Sequence, residues 1–282
     1  MNQYKVLQRA SFLKKHQREE NVANELLQHL TKANSAQFYA NMQASLDQKL
    51  IEQFEKHLRD HAIKGRPIQH IIGRAPFYGR EFFVNEAVLI PRFETEEVVL
   101  ASLEKITHRI GEGPLIAVDL GTGSGIIAIT LAVENKDLKV YATDISRAAL
   151  QVAKKNAKHH DAPVEFYLGD FLQPLMERAI VPDIIISNPP YISHEERVNL
   201  ADTVEKFDPA LALFAEEDGL AAYKKIVKQL QCIQKEGQLL VFEIGYQQGE
   251  AVKKIVEAAF PDSKVAILQD INQLDRIVIA EI

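Results

Sequence analysis

The sequence predicts an α/β protein: a doubly wound, mostly parallel sheet of seven strands, preceded by a small all-helical domain and a β-hairpin linker. Three observations carry this expectation. Residues 1–75 place apolar side chains at helical spacing and contain no strand-like run. Residues 76–93 gather aromatics around a glycine turn. From Gly113 onward, short apolar runs alternate with helical stretches. Strands buried on both faces and separated by helices make a parallel sheet with helices on either side.

In the first segment, Val6, Leu7, Ala10 and Leu13 share one helical face, as do Val22, Leu26, Leu27 and Leu30, and then Leu46, Leu50, Phe54 and Leu58. Ser45 with Gln48 has capping-box spacing for the third helix. Gly65-Arg-Pro67 ends the run. Phe77 to Val84, with Gly79 at the turn, predicts a short hairpin, and Val88-Leu-Ile90 leads into Pro91-Arg92. A helix is expected from Thr95 to about Arg109. The sheet strands then read as 115–120, 139–144, 164–168, 183–187, 238–244, 264–268 and 276–280, with helices at 126–133, 146–160, 218–235 and 247–260. Ser146 suits the N-cap of the second of these helices. The last two strands are too close in sequence for a parallel crossover, so they are expected as an antiparallel pair at the sheet edge. The division that follows is 1–75 helical, 76–93 linker and 94–282 sheet domain.

The formal net charge of −6 supplies no global field for nucleic acid or anionic lipid. The single cysteine, Cys232, excludes an internal disulfide; it lies among Ile226, Val227, Leu230 and Ile233 and is expected to be a buried packing thiol. A chain without disulfides suits a reducing compartment. The first residues lack the apolar core of a signal peptide, and no apolar run approaches the roughly 20 residues of a membrane span. A cytoplasmic location with no membrane association is expected. The nine histidines show no metal-ligand spacing, so no metal is expected.

Chemistry concentrates at the carboxyl ends of the strands. The first strand runs into Asp119-Leu-Gly121-Thr122-Gly123-Ser124-Gly125. Glycines there permit a sharp turn and a close approach to a ligand, with the next helix aiming its N–H groups at it. The sixth position of a dinucleotide fingerprint is Ile126 rather than glycine, and no lysine completes a phosphate-binding loop. The compact Gly-x-Gly-x-Gly loop of S-adenosylmethionine enzymes remains. Asp119 reads as support for that loop. The second strand ends at Asp144, where a carboxylate accepts from ribose hydroxyls. The third ends at Gly169-Asp170-Phe171, a carboxylate for an exocyclic amine and a ring for a flat base.

The fourth strand delivers Ile184-Ile-Ile-Ser-Asn188-Pro189-Pro190-Tyr191 to the same edge. The prolines cannot continue a ladder and stiffen the exit. Such a rim suits a flat polar group, an amide or a base edge. Asn-Pro-Pro-Tyr resembles the signature of methyltransferases that act on a nitrogen conjugated to a carbonyl or ring, whose lone pair is delocalised. The Asn188 side-chain oxygen and the Pro189 carbonyl can each accept one N–H, which orients the nitrogen for attack. Tyr191 can stack on the planar group. The proton leaves after transfer, so no strong base is required. Asn188, Pro189 and Tyr191 are the catalytic candidates, and Pro190 joins them in holding substrate. Glu243 ends the fifth strand nearby without an assignable role.

Gly121-Thr-Gly123-Ser-Gly125 together with Asn188-Pro-Pro-Tyr191-Ile192 resembles the HemK-type protein-(glutamine-N5) methyltransferases that act on peptide chain release factors. The resemblance extends over nearly the whole chain. It includes Arg66-Pro-Ile-Gln-His-Ile-Ile-Gly73; Leu89-Ile-Pro-Arg-Phe-Glu-Thr-Glu96, with Phe93 where proline is usual; Phe207-Asp-Pro-Ala-Leu-Ala-Leu213; Gly245-Tyr-Gln-Gln-Gly-Glu250; and Asp270 with Arg276. It implies a Rossmann-like methyltransferase domain that uses S-adenosyl-L-methionine and releases S-adenosyl-L-homocysteine. Gly121 to Gly125, Asp144, Asp170, Phe171 and Asn188 would hold the cofactor. It implies that the substrate is the glutamine of the Gly-Gly-Gln loop of class 1 release factors, docked by the helical domain. Separately, the net charge points away from direct nucleic-acid contact, and a monomer is expected. A ribosomal-protein glutamine methyltransferase would share every catalytic residue. An adenine-N6 nucleic-acid methyltransferase would fit the same rim, but would want a basic face. A cofactor-binding regulator without catalysis would have no need of an intact Asn-Pro-Pro-Tyr.

Overall fold

The protein is described here from a computed structural model covering residues 1–107 and 114–282. Among these residues the chain forms two compact units, residues 1–74 with 201–207, and residues 75–200 with 208–282.

The first unit is helical: α1 (Gln3–Leu7), a 3-10 turn (Gln8–Ala10), α2 (Ser11–Lys14), α3 (Asn21–Thr31), α4 (Ser35–Ala40), α5 (Gln48–Lys64) and α6 (Ile68–Ile72). The three apolar stripes converge on one core that includes Val6, Leu13, Leu26, Leu27, Phe38, Phe54 and Leu58. The capping box expected at Ser45 does not form. Ser45 is engaged in a strand-like bridge with Asn2, and α5 starts after Asp47, whose side chain makes no capping bond. The reciprocal box instead closes α4, between Asn34 and Gln37. Gly65 ends α5 in the left-handed region at φ +76°, and a Cβ there would fall 2.7 Å from Asp202 Oδ2. Glycine is needed at that position for both reasons. Asp202 accepts two 2.7 Å bonds from the Arg18 guanidinium, which seats residues 201–207 in this unit although they follow Tyr191 in the chain.

The second unit begins at the second residue of the hairpin formed by β1 (Arg74–Phe77) and β2 (Arg80–Phe83). Its two-residue turn, Tyr78 at φ 49° and Gly79 at φ 71°, has the doubly positive backbone of a type I′ turn. Tyr78 tolerates it with its N–H donated to Glu96 Oε1 at 2.8 Å. Helix α7 (Phe93–Thr107) starts two residues before the expected Thr95. The expected helix end at Arg109 and the strand pattern's start at Gly113 lie outside the described residues.

The sheet contains β3 (Leu115–Leu120), β4 (Leu138–Asp144), β5 (Val164–Leu168), β6 (Ile184–Ser187), β7 (Leu239–Glu243), β8 (Lys264–Gln269) and β9 (Asp275–Glu281), in the order β5-β4-β3-β6-β7-β9-β8. The first five are parallel, and β9 runs antiparallel to both β7 and β8. The chain winds outward from β3 in one direction and returns to its other side at β6, so the carboxyl ends of β3 and β6 flank the switch point where such sheets bind ligands.

Each sheet face carries its own core. One holds Phe77 and Phe82 of the hairpin with Val98 and Ile106 of α7; the other holds Tyr223, Ile226, Val252 and Val256. Alternate residues of β3 serve the two, Ala117 one and Val118 the other. Ile184, Ile185 and Ile186 are fully buried, each contributing about 1.5–3 kcal/mol by removal from water.

Cys232 is exposed rather than buried. The helix before it, Ala221–Gln231, buries Ile226, Val227 and Leu230, and Cys232 follows as its C-cap residue, two positions beyond the last buried one. Two helical positions are about 200° of rotation, which turns the thiol away from the sheet.

Candidate active site

The glycine loop is built by backbone bonds and one buried carboxylate. Gly121 and Thr122 both donate their N–H to Thr143 O at 2.9 Å, tying the end of β3 to β4. Asp119 Oδ2 accepts from Thr122 Oγ1 at 2.5 Å and from Ala128 N at 3.2 Å, fixing the loop to the start of helix α8 (Ile126–Glu134). Burial pushes the Asp119 carboxyl up to about 7 against the pull of those bonds.

Asp144 Oδ2 accepts from Gly123 N at 2.9 Å and its Oδ1 from Ser146 N at 2.7 Å. Burial raises its pKa, and the two N–H bonds oppose the rise. Gly123 has open space where a Cβ would stand, so its bare face can meet a ligand. Gly125 answers to packing instead. A Cβ there would lie 2.8 Å from Ile129 Cδ1 and 3.2 Å from Ala153 Cβ, so glycine lets α8 close on helix α9 (Arg147–His159). Ser146 caps α9, accepting from Ala149 N.

A cavity of about 340 Å³ opens at this edge, within the size range of small-molecule sites. Of the residues expected at a site, Gly121, Thr122, Gly123, Ser124, Asp144, Asp170, Phe171, Asn188 and Pro190 line it, whereas Gly125, Pro189 and Tyr191 do not. Its remaining wall comes from the stretch after the hairpin, including Leu89 and Thr95, and from Leu211, Phe214 and Lys225. Asp170 Oδ2 pairs with Lys225 Nζ at 2.5 Å, a partner that helical periodicity around Lys225 did not announce. Asn156 of α9 is a second unannounced contributor. Its amide donates to Ser124 O and Phe83 O, joining the glycine loop to the hairpin.

At the end of β6 the Asn188 amide nitrogen donates to Thr95 Oγ1 at 3.2 Å, and Thr95 Oγ1 donates to Glu243 Oε2 at 2.7 Å. Thr95 and Glu243 are each 1% exposed. Burial lifts the Glu243 carboxyl to about 7, while the bond from Thr95 and the charge of Arg276 act in the other direction. Sequence reading placed Glu243 at this edge but not its contact, because α7 and β7 meet only in the folded chain.

Tyr191 stands beside the cavity, with its carbonyl accepting from Gln248 Nε2 at 2.9 Å. A Cβ on Gly245 would lie 3.4 Å from its ring. Burial raises the pKa of its phenol, which stays neutral. Arg92 donates to Asp208 Oδ2 at 2.8 Å, and Arg276 to Asp270 Oδ2 at 3.2 Å and to Ile244 O at 3.2 Å. These bonds tie down three of the segments on which the family resemblance rests. No group of three or more His, Cys, Asp or Glu side chains arranged to hold a metal occurs among the described residues.

The donor and acceptor set limits the ligand. Two carboxylates, Asp144 and Asp170, face the cavity beside a glycine loop that carries no lysine. That combination suits a ligand with hydroxyl, amine and cationic groups, and is poor for a polyphosphate.

Comparison with known proteins agrees with this geometry. Residues 100–211 match the Methyltransferase small domain family, and residues 5–73 match the PrmC N-terminal domain family. The chain is similar to the release factor glutamine methyltransferase of Bacillus anthracis, with 43% identity over 283 residues and the whole of both chains covered. It is 45% identical to that of Bacillus subtilis, over 96% of this chain and 94% of the relative, and 45% identical to that of Staphylococcus aureus, over 86% and 84%. Among solved structures, the catalytic domain of hMettl16 in complex with an RNA hairpin superposes with a TM-score of 0.57 at 16% identity, covering 86% of this chain and 83% of that one. A methyltransferase from Pyrococcus furiosus superposes at 0.50 with 14% identity, over 82% and 98%. Those two share the fold. A sequence match that runs the full length of the chain, through both the helical unit and the sheet, carries more: the chain belongs to the release factor glutamine methyltransferase family.

Proposed function

We propose that the protein transfers a methyl group from S-adenosyl-L-methionine to the side-chain N5 of the glutamine in the Gly-Gly-Gln loop of class 1 release factors. The observation that carries this reading is the Asn188 carboxamide. Its nitrogen is spent on Thr95, and its oxygen is left without a donor among the described residues at the wall of a cavity whose other end is the glycine loop.

The residues present fit the cofactor. Asp144 would accept from the ribose hydroxyls and Asp170 from the adenine amine. Phe171 would cover the base, and Gly121, Thr122, Gly123 and Ser124 would line the methionine side. When bound, the cofactor supplies an electrophilic methyl group on a sulfonium, and S-adenosyl-L-homocysteine is the product.

Asn188 Oδ1 and the Pro189 carbonyl accept the two N–H groups of the glutamine amide. Held at both, the nitrogen is oriented for attack, and its developing positive charge faces two carbonyl dipoles. The N–H bonds become more acidic as the new N–C bond forms, and one proton passes to solvent after transfer. Tyr191 flanks the planar amide from beside the cavity, and Pro190 stiffens the turn.

We assign residues 1–75 to docking the release factor, residues 76–93 to the linker and residues 94–282 to catalysis. Exposed Tyr39 and Ile63 offer apolar contact on the helical unit. The net charge of −6 favours a protein substrate over nucleic acid. An exposed, unpaired Cys232 suits the reducing cytoplasm, and no helix among the described residues is long and apolar enough to cross a membrane. The enzyme is expected to act as a monomer.

The test is methylation of a purified release factor with labelled cofactor, followed by mass mapping. A single added methyl on the loop glutamine is expected, and it disappears when that glutamine is changed to alanine. Label that persists in the altered release factor would refute the assignment. Asp144→Ala is expected to raise the cofactor Kd by about 10- to 100-fold, since hydrogen bonds to a charged acceptor contribute roughly 1.5–3 kcal/mol. Calorimetric titration with cofactor measures it.

A further inference from the structure

We propose that Thr95 and Glu243 are positioning residues: they form a directed hydrogen-bond chain that holds the Asn188 carboxamide with its oxygen toward the substrate nitrogen. The proposal rests on the role given to Asn188 above and deepens it.

The direction follows from donor arithmetic. A threonine hydroxyl has one proton. Thr95 gives that proton to Glu243 Oε2 at 2.7 Å, so toward Asn188 it can only accept, and the Asn188 nitrogen donates to it at 3.2 Å. The Asn188 amide is itself a hydrogen-bonding neighbour of Glu243 that favours the charged carboxylate. A flipped amide would set Asn188 Oδ1 against two acceptors with no proton between them. The carboxylate at the end of the chain therefore decides which edge of the amide faces the cavity. With the oxygen outward, Asn188 accepts from the glutamine NH2; with the nitrogen outward, two donors would confront each other.

The chain is reversible in principle. A protonated Glu243 can donate to Thr95, and Thr95 can then donate to Asn188 Oδ1, turning the wrong edge of the amide to the substrate. The groups that face Glu243 are Glu94 and Thr95 of α7, Asn188 and Tyr191 after β6, Tyr223 of the helix Ala221–Gln231 and Arg276 of β9. Arg276 favours the carboxylate, whereas burial and Glu94 oppose it and place its titration at about 7. Tyr223 donates its hydroxyl to the Glu243 carbonyl at 2.9 Å, which anchors the backbone and leaves the carboxylate to Thr95.

The experiment compares full-length wild type, Thr95→Val, Thr95→Ser and Glu243→Gln on release factor between about pH 6 and 9, reading kcat, KM and cofactor Kd. Thr95→Val fills the same space without an acceptor. It is expected to lose at least about tenfold in kcat with cofactor Kd held within about twofold, and Thr95→Ser is expected to recover most of the loss. The wild-type rate is expected to fall below about pH 7, and that acid limb to vanish in Glu243→Gln, whose amide can point either way. Thr95→Val within about twofold of the wild-type kcat, Thr95→Ser as slow as Thr95→Val, or an unchanged acid limb in Glu243→Gln each overturns the proposal. If Glu243→Gln fails to fold, the Thr95 pair decides alone. A wild type inactive on release factor overturns the functional reading itself, and the proposal with it.

Discussion

Asn188→Ala is expected to lower kcat by about 10²–10³-fold while changing cofactor affinity by less than about threefold. The magnitude is that of removing one preorganised dipole aimed at charge that develops in the transition state. The loss falls on kcat because a glutamine amide is a poor nucleophile until both its hydrogens are held. One acceptor, the Pro189 carbonyl, survives the substitution but cannot orient the nitrogen by itself. Cofactor affinity is spared because Asp144, Asp170 and the glycine loop lie at other strand ends. The variant should fold. Asn188 is partly exposed at the cavity wall, and its partner Thr95 keeps its bond to Glu243. Single-turnover methylation of release factor, set beside calorimetric titration of the cofactor, checks both halves. A variant that turns over at the wild-type rate would remove Asn188 from the chemistry.

Gly219→Ala is expected to be the more damaging change to the fold around the site, costing about 2–4 kcal/mol of stability and most of the activity. Gly219 sits at φ +81°, and a Cβ there would lie 2.0 Å from the Tyr191 carbonyl oxygen and 2.6 Å from Gln248 Nε2. Left-handed backbone alone costs alanine roughly 1–2 kcal/mol. The carbonyl adds a clash that backbone cannot avoid by changing rotamer, and relief requires moving the turn that follows Asn188-Pro-Pro. The Gln248 bond to Tyr191 O, 2.9 Å in this structure, would break in the process. Thermal denaturation reads the first effect and kcat the second. Gly237→Ala is the control: it also has positive φ, at +78°, but nothing lies within 4 Å of the added carbon. It should show the backbone cost without the loss of rate.

Gly219 also marks where sequence reading stopped. The residues with chemistry of their own were legible because their chemistry is local. A glycine run after a buried strand, carboxylates at the next two strand ends and Asn-Pro-Pro-Tyr at the fourth are each short-range patterns, and a parallel sheet obliges its strand ends to share an edge. Gly219 follows Glu217 and Asp218, and its sequence reads as an ordinary solvated turn. Its constraint comes from Tyr191, 28 positions earlier in the chain. Cys232 shows the same limit from the other side. It was expected in the core from its apolar neighbours, but it follows buried Leu230 by two positions, about 200° around the helix, which leaves it in solvent. Ser45 had capping spacing, yet its segment pairs with Asn2, a partner 43 residues away.

By itself, then, the sequence determined the α/β class, the hairpin, the helical first segment, the seven strands and the strand-end residues that line the cavity. Periodicity, turn chemistry and the strand–helix alternation are written within windows of a few residues. Tertiary structure alone decided the insertion of β9 between β7 and β8, the pairing of Asp170 with Lys225, and the seating of residues 201–207 with the helical unit. It also decided the chain from Asn188 through Thr95 to Glu243, three residues from three separate elements. Each of these is a contact between residues distant in sequence, and its energy depends on burial and on which donor meets which acceptor. Neither exists until the sheet has closed around them.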